Sequence, residues 1–198
     1  MAGKTKVGVL ALQGAVREHM QIMEQLGVEP IAVKTKEQLE GISGLIIPGG
    51  ESTAIGKLLR QYDLRGPILD LHAEGKPIMG TCAGLILIAK HIQENDEAHL
   101  PLLDVTVQRN AFGRQVDSFE ADLPIKGVAE DFQAVFIRAP LITRVGEEVE
   151  VLSTVRDQVV AVKQNNLLGI SFHPELTEDT RFHAYFLHMV QDKIEKQP

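Results

Sequence analysis

The 198-residue chain is 44% hydrophobic and 24% charged, and its formal net charge is −7. This composition is typical of a globular protein that buries a core, and it argues against disorder. Nucleic acid and anionic membranes attract clusters of Lys and Arg, which the sequence does not show, so we expect neither as a partner.

No run of residues approaches the roughly 18 to 20 apolar residues that span a bilayer, and the N-terminus carries no cleavage-site pattern. We therefore expect a cytoplasmic protein. The length suits one domain and no linker or repeat interrupts the chain, so we predict a single domain over residues 1–198.

Short apolar runs alternate with amphipathic segments in the first half of the chain. The clearest helix is Ala15–Leu26, where apolar residues such as Met20 and Met23 recur at three- and four-residue spacing before Gly27. The predicted strands of this half are Val7–Leu12, Ile31–Val33, Gly44–Ile47 and Pro77–Met79.

Strands that alternate with helices predict an α/β fold, with a layered, mostly parallel central sheet and helices on both faces. After about residue 104 short strands follow one another directly, and we interpret them as antiparallel additions to that sheet. These strands are Val105–Val107, Ser118–Ala121, Ala134–Ile137, Val149–Val155, Val159–Val162 and Leu167–Phe172. A final helix over Asp179–Glu195 places an aromatic face on the core.

Cys82 is the sole cysteine, so it is either a buried apolar residue or a reactive thiol. It stands in Gly80-Thr81-Cys82-Ala83-Gly84, between the predicted strand Pro77–Met79 and a predicted helix over Ala83–Gln93. Small residues around a nucleophile at a strand-to-helix turn are typical of a nucleophile elbow. The free N–H groups and partial positive charge of the helix N-terminus favour the thiolate there.

A nucleophile of this kind needs a base, and His173-Pro174-Glu175 follows the predicted strand Leu167–Phe172. The imidazole can accept and return a proton while the carboxylate fixes its tautomer. A metal site is the weaker alternative for His173, because no second His or Cys lies nearby at ligand spacing. Six further histidines have no motif, and we interpret them as surface or satisfied core residues: His19, His72, His91, His99, His183 and His188.

The segment Pro48-Gly49-Gly50-Glu51-Ser52 follows the predicted strand Gly44–Ile47 and precedes another predicted helix. A phosphate-binding turn is one interpretation, but Gly-Lys-Ser/Thr is missing and Glu51 would repel phosphate. The alternative is an oxyanion hole, in which the N–H groups of Gly50 and Ala83 stabilise the charge that forms when a thiolate attacks a carbonyl. Three strand-end loops would then meet in one acyl-transfer site.

Together these motifs resemble those of the class I (triad) glutamine amidotransferases, which have a flavodoxin-like sheet. Within that superfamily the sequence is similar to the glutaminase subunits of pyridoxal 5′-phosphate synthases. The segments that carry this narrower resemblance are Leu12–His19, Pro48–Thr53, Arg109–Gln115, Phe136–Pro140 and Ser171–Glu178.

The resemblance implies that Cys82 attacks the side-chain amide of L-glutamine, giving a thioester and ammonia, and that water then releases glutamate. It also implies the residues that hold the glutamine, which are Gly50, Glu51, Ser52, Arg109, Ile137 and Arg138. An arginine suits the α-carboxylate and Glu51 suits the α-ammonium group. Ordinary surface salt bridges are the alternative reading of Arg109, Arg114 and Arg138.

By the same resemblance, the partner is a (β/α)-barrel synthase subunit in a hetero-oligomeric complex, which receives ammonia and builds pyridoxal phosphate. Gln13, within the segment Gln13–His19, is the candidate for coupling the two subunits. No metal or organic cofactor is expected in this chain. Two alternatives are a partner-independent cysteine hydrolase or peptidase on a similar fold, and a non-catalytic regulatory module.

Overall fold

A computed structural model describes residues 3–93, 97–109 and 118–198. Its helices are α1 (Val16–Gln25), α2 (Ser52–Gln61), α3 (Arg65–Ala73), α4 (Ala83–Ile88) and α5 (Arg181–Glu195), and 3₁₀ turns cover Lys36–Leu39 and Pro174–Leu176. Its strands are β1 (Lys6–Leu10), β2 (Glu29–Val33), β3 (Gly44–Ile47), β4 (Ile78–Thr81), β5 (Ala89–Ile92), β6 (Leu103–Gln108), β7 (Ser118–Ile125), β8 (Ala129–Ile137), β9 (Leu141–Val145), β10 (Glu150–Val155), β11 (Gln158–Gln164) and β12 (Leu167–Ile170).

Ten strands within the described ranges form one sheet, in the order β2-β1-β3-β4-β12-β11-β9-β6-β5, with β10 paired to β11. The pairs from β2 across to β12 are all parallel. Strand β11 pairs antiparallel with β12, β9 and β10. The predicted fold class, a mostly parallel sheet with antiparallel additions, is therefore confirmed.

Two details of the predicted second half are wrong. Strand β12 is not an antiparallel addition to the parallel set, because it lies parallel to β4 and becomes its last member. Strands β7 and β8 do not join the main sheet, because they pair only with each other in the described structure and form a separate two-stranded sheet. Strand β9, over Leu141–Val145, was not predicted at all.

The predicted helix over Ala83–Gln93 is wrong beyond Ile88. All six residues of α4 are buried, and the chain then extends into β5, which pairs parallel with β6. A continuous apolar run has no polar face that would distinguish a buried helix from a buried strand. The predicted helix Ala15–Leu26, by contrast, is confirmed as α1, with Met23 fully buried.

The core consists of two apolar clusters, one on each face of the parallel strands. In β3, Leu45 and Ile47 belong to the first cluster and Ile46 belongs to the second, as the two-residue period of a strand requires. Helices α2, α3 and α4 cover the first face, whereas α1, α5 and the β7–β8 hairpin cover the second.

Because β1, β3, β4 and β12 are parallel, their carboxyl ends lie at one edge of the sheet. The segments that follow them there begin at Ala11, Pro48, Cys82 and Ser171. None of the helices in the described ranges is long and apolar enough to cross a membrane.

Candidate active site

Cys82 occupies a sharp turn between β4 and α4. Its backbone has φ 51° and ψ −106°, a conformation that costs a residue with a Cβ about 1 to 3 kcal/mol. The turn is held from both sides: the Cys82 N–H donates to the carbonyl of Ile170 at 2.8 Å, and its carbonyl accepts from the Leu85 N–H at 3.1 Å. Strain of this kind at a strand-to-helix turn is the geometry of a nucleophile elbow.

The flanking glycines allow α4 to pack against the strand ends. A Cβ on Gly84 would overlap the carbonyl oxygen of Ile47 in β3, and a Cβ on Gly80 would lie 2.5 Å from the carbonyl oxygen of Gly84. Backbone cannot yield to such contacts as a flexible side chain can. The motif is therefore glycine-rich because the backbone of the turn lies against the neighbouring strand and helix.

His173 and Glu175 follow β12 and form a close pair. The Nδ1 atom of His173 is 2.6 Å from Oε1 of Glu175, whose side chain is fully buried. The backbone N–H of His173 donates to the backbone carbonyl of Val135 at 2.8 Å, and this bond anchors the loop to β8. Since Glu175 accepts from Nδ1, the Nε2 atom of the ring is left for proton exchange with Cys82.

The electrostatics of this pair favour a charged imidazole. Burial lowers the pKa of His173, but hydrogen bonds to Cys82 and Glu175, together with electrostatic interactions with both groups, outweigh burial and raise the pKa to about 10. The raised pKa favours the protonated ring, which suits His173 to stabilise a thiolate and to protonate a leaving group. Cys82 is buried, and its sulfur lies 3.8 Å from the Ile137 carbonyl oxygen.

The glycine loop after β3 lies directly against the pair. A Cβ on Gly49 would lie 2.6 Å from Cε1 of His173 and 3.4 Å from Cβ of Cys82. The Gly49 carbonyl accepts the Ala15 N–H at 3.0 Å, and this bond fixes the peptide plane that carries the Gly50 N–H. The side-chain oxygen of Gln13 accepts the Glu51 N–H at 2.8 Å. The segment before α1 thus holds the loop in place.

These elements enclose one cavity of about 340 Å³, at the lower end of the range of small-ligand sites. Its walls include all six residues predicted to hold a substrate, together with the predicted nucleophile, base and second oxyanion donor. Among the described residues, the lining is Gly50, Glu51, Ser52, Cys82, Ala83, Ile86, Arg109, Ile137, Arg138 and His173. Of these ten described residues, Ile86 alone was not identified from the sequence.

Glu51 has a structural role besides the predicted one. Its two carboxylate oxygens accept the N–H groups of Thr53 at 3.0 Å and Ala54 at 2.7 Å, so it caps the N-terminus of α2. Burial raises the pKa of Glu51, but these two bonds and the charge of Arg109 outweigh burial and lower it. Arg109 donates to the Thr53 hydroxyl at 3.1 Å. Both charged groups are therefore held at the rim of the cavity.

Two polar residues beside the site, His19 and His183, were missed at the level of sequence. His19 and His183 are fully buried, as expected of core histidines, but Nε2 of His19 also lies 3.5 Å from Oε2 of Glu175 and 3.2 Å from the Thr81 hydroxyl. The position of His19 within the segment Leu12–His19 was the one available signal. Residues 110–115 of the predicted motif Arg109–Gln115 lie outside the described residues. They include Arg114.

The sequence profile of the SNO glutamine amidotransferase family matches residues 9–192. The pyridoxal 5′-phosphate synthase subunit PdxT of Niallia circulans is 59% identical over 187 residues, covering 94% of this chain and 98% of that protein. The subunit of the same name from Geobacillus thermodenitrificans is 57% identical, covering 94% and 96%.

A solved structure of a glutamine amidotransferase superposes with a TM-score of 0.90 at 51% identity, covering 93% of this chain and 98% of that one. The PurLQS structure from Thermotoga maritima, at 19% identity and a TM-score of 0.66, shares the fold alone over 98% of each chain. The chain belongs to the SNO glutamine amidotransferase family.

Proposed function

We propose that the chain is the glutaminase subunit of a pyridoxal 5′-phosphate synthase, which hydrolyses L-glutamine and passes the ammonia to a synthase subunit. The observation that carries the proposal is the shared cavity: Cys82 at a strained turn, His173 paired with Glu175, and the Gly50 loop line or adjoin one space. In a member of a glutamine amidotransferase family, that arrangement supports attack of a thiolate on an amide.

The first half-reaction forms a thioester. The sulfur of Cys82 attacks the side-chain amide carbon of glutamine, and the carbonyl oxygen becomes an oxyanion that the N–H groups of Gly50 and Ala83 stabilise. His173 transfers its proton to the amide nitrogen, the carbon–nitrogen bond breaks, and ammonia leaves. The ring is then neutral and ready to act as a base.

The second half-reaction releases glutamate. His173 takes a proton from water as the oxygen attacks the thioester carbon, and a second oxyanion forms in the same hole. Its collapse breaks the carbon–sulfur bond and regenerates the thiolate beside the imidazolium. Glu175 keeps the ring in the tautomer that both steps need. One amide bond and one water are consumed in each turnover.

The charged rim of the cavity supports a small zwitterionic substrate. Arg109 and Arg138 are the candidates for the α-carboxylate, and Glu51 is the candidate for the α-ammonium group. Ser52 and Ile137 complete the binding set. A peptidase would instead need a groove that extends past the scissile bond, which the small volume of this cavity does not favour.

Ammonia in water is mostly ammonium and is then not a nucleophile, so direct transfer to the synthase protects its reactivity. We assign the partner as a (β/α)-barrel subunit in a hetero-oligomeric, cytoplasmic complex, with this chain contributing one domain and no cofactor of its own. Gln13 is the proposed coupling residue, because its side chain bonds the backbone of the glycine loop. Pyridoxal phosphate is the product of the complex.

Glutamate release from L-glutamine tests the function, with wild type and Cys82→Ala measured alone and with the synthase subunit added. We expect activity that rises with the partner and falls at least about 10³-fold without the thiol. Glutamate formation by Cys82→Ala at the wild-type rate would refute the proposed nucleophile. Absence of glutamate under every condition would favour a hydrolase of other specificity or a regulatory module.

The coupling role is tested by Gln13→Ala, which removes the acceptor of the Glu51 N–H. We expect partner-stimulated glutaminase activity to fall by about tenfold or more. Without the Gln13 acceptor the glycine loop is held less firmly, so its Gly50 N–H is less well placed to stabilise the oxyanion in the transition state. Gln25→Ala makes the same change at the exposed far end of α1 and serves as the control. Equal stimulation of both variants would remove Gln13 from the coupling path.

A further inference from the structure

Two buried histidines lie behind the Cys82–His173–Glu175 triad. His19, on α1, and His183, on α5, are both fully buried, and Nδ1 of His19 is 2.8 Å from Nε2 of His183. On its other side, Nε2 of His19 faces the Thr81 hydroxyl at 3.2 Å and Oε2 of Glu175 at 3.5 Å. A continuous line of polar groups therefore runs from α5 through α1 to the triad carboxylate.

Both rings are neutral at physiological pH. Burial is the largest cause that lowers the pKa of His19 well below its usual range, and electrostatic repulsion by His183 and His173 in their protonated forms lowers it further. Burial also lowers the pKa of His183 to about 4. Each ring therefore carries one N–H donor and one bare nitrogen, and the position of each proton decides which contacts are favourable.

One assignment of protons satisfies the contacts. If His183 carries its proton on Nε2, it donates to Nδ1 of His19, and the proton of His19 then sits on Nε2, facing Glu175 and Thr81. The Nδ1 atom of His183, which has no hydrogen-bond partner among the described residues, is then a bare nitrogen. The opposite assignment would bury an unpaired N–H on His183 and turn a lone pair of His19 toward the carboxylate.

Glu175 needs such a donor. Its Oε1 atom is committed to His173, while its fully buried Oε2 atom makes no hydrogen bond within the described residues at its present geometry. A buried carboxylate oxygen without a donor is costly. His19 lies 3.5 Å away with the right polarity, and contacts of this length in an unliganded site commonly tighten when the substrate is bound.

We infer that His19 is a positioning residue, whose Nε2–H holds the second oxygen of Glu175 and so fixes the carboxylate against His173. The inference rests on the proposed function only for its catalytic consequence. His183 fixes the tautomer of His19, and Thr81 shares the same donor. Because α1 begins just after the segment that holds the glycine loop, one helix would locate both the Gly50 N–H and the triad carboxylate.

The tautomers are tested on the wild-type protein by ¹⁵N-edited NMR of the histidine rings at pH 7. We expect protonated Nε2 and bare Nδ1 in both His19 and His183. A proton on Nδ1 of His19 would overturn the proposal. This measurement needs no substrate, so it stands even if the chain proves not to hydrolyse glutamine, in which case the proposed function alone would fail.

The positioning role is tested by a matched pair of amides, His19→Gln and His19→Asn, assayed in the assembled complex. The nitrogen of Gln reaches the Nε2 position and can donate to Glu175, whereas that of Asn reaches only the Nδ1 position. We expect kcat of His19→Asn to be about tenfold or more below that of His19→Gln. KM should differ by less than about twofold, since the substrate is not contacted. Equal kcat values in the two variants, whether high or low, would overturn the proposal.

Discussion

At the scale of single residues, the chemistry of the site depends on one residue with a strained backbone conformation and on another with a shifted pKa. Cys82 has positive φ, and it is held there by hydrogen bonds from two neighbouring segments. Burial lowers the pKa of His173, but hydrogen bonds and electrostatic interactions with Cys82 and Glu175 raise it. Such perturbed groups in a cleft are what distinguishes a reactive site from packing.

Glu175→Gln is the most direct test of the flanking carboxylate. The substitution keeps the size of the side chain but removes its charge, so the pKa of His173 should fall and the ring should lose its fixed tautomer. We expect kcat for glutamine hydrolysis to fall by up to about 10⁴-fold. Glu178→Gln, an exposed site three residues later, is the control and should keep wild-type turnover. Activity above half of wild type in Glu175→Gln would contradict this role.

At the scale of elements, the site is built where backbone packs on backbone. Helix α4 starts directly after Cys82, and all six of its residues are buried. Its position depends on the contact between Gly84 and the end of β3. The 3₁₀ turn Pro174–Leu176 in turn places Glu175 beside His173.

A pair of glycine substitutions tests this packing. Gly84→Ala should lower the free energy of unfolding by about 1 to 3 kcal/mol, because its Cβ would overlap the Ile47 carbonyl. Gly66→Ala, in α3, meets no atom within 4 Å and should stabilise the protein by about 0.4 to 1 kcal/mol. Urea denaturation measures both. Equal effects at the two sites would show that close backbone packing does not govern the position of α4.

At the scale of the whole molecule, the proposed triad of Cys82, His173 and Glu175 lies at one edge of a sheet that has a core on each face. Burial on the second face includes the uncharged His19–His183 pair, so folding depends on keeping both rings neutral. This makes the global stability sensitive to acid. His173 acts in the opposite sense: its stabilising charge is fully present below pH 6.5 and is lost as the pH rises through about 10.

The acid sensitivity is tested through His183. Its pKa is about 4 when folded and near 6.5 when unfolded, so the unfolded chain binds the extra proton between these values. Stability should therefore fall with decreasing pH across this window, by up to about 1.4 kcal/mol per pH unit from this group. Relative to wild type, His183→Gln should show a shallower slope in urea unfolding between pH 6.5 and 4.

The control for that experiment is His188→Gln, on the exposed side of α5, which replaces a histidine without touching the buried pair. Its slope should match that of wild type. If His183→Gln also matched wild type, the buried ring would already be charged or accessible in the native state, and the proposed neutral pair would be wrong.

The sequence by itself determined the family and the candidate chemistry, because those signals are local. A cysteine between small residues at a predicted strand end and a His-Pro-Glu run can be read without any distant contact. The long amphipathic helices could be predicted for the same reason, since their periodicity is contained within the segment.

Only the tertiary structure decided which strands pair, where α4 ends and which distant side chains are in contact. Strand β12 lies beside β4, α4 stops at Ile88, and the rings of His19 and His183 meet across 164 residues of sequence. Contacts between segments so far apart leave no periodic trace in one sequence, and a wholly buried segment has no polar face to reveal its type. The triad residues could thus be proposed from sequence, whereas the polar line behind Glu175 depends on how α1 and α5 pack on the same face of the sheet.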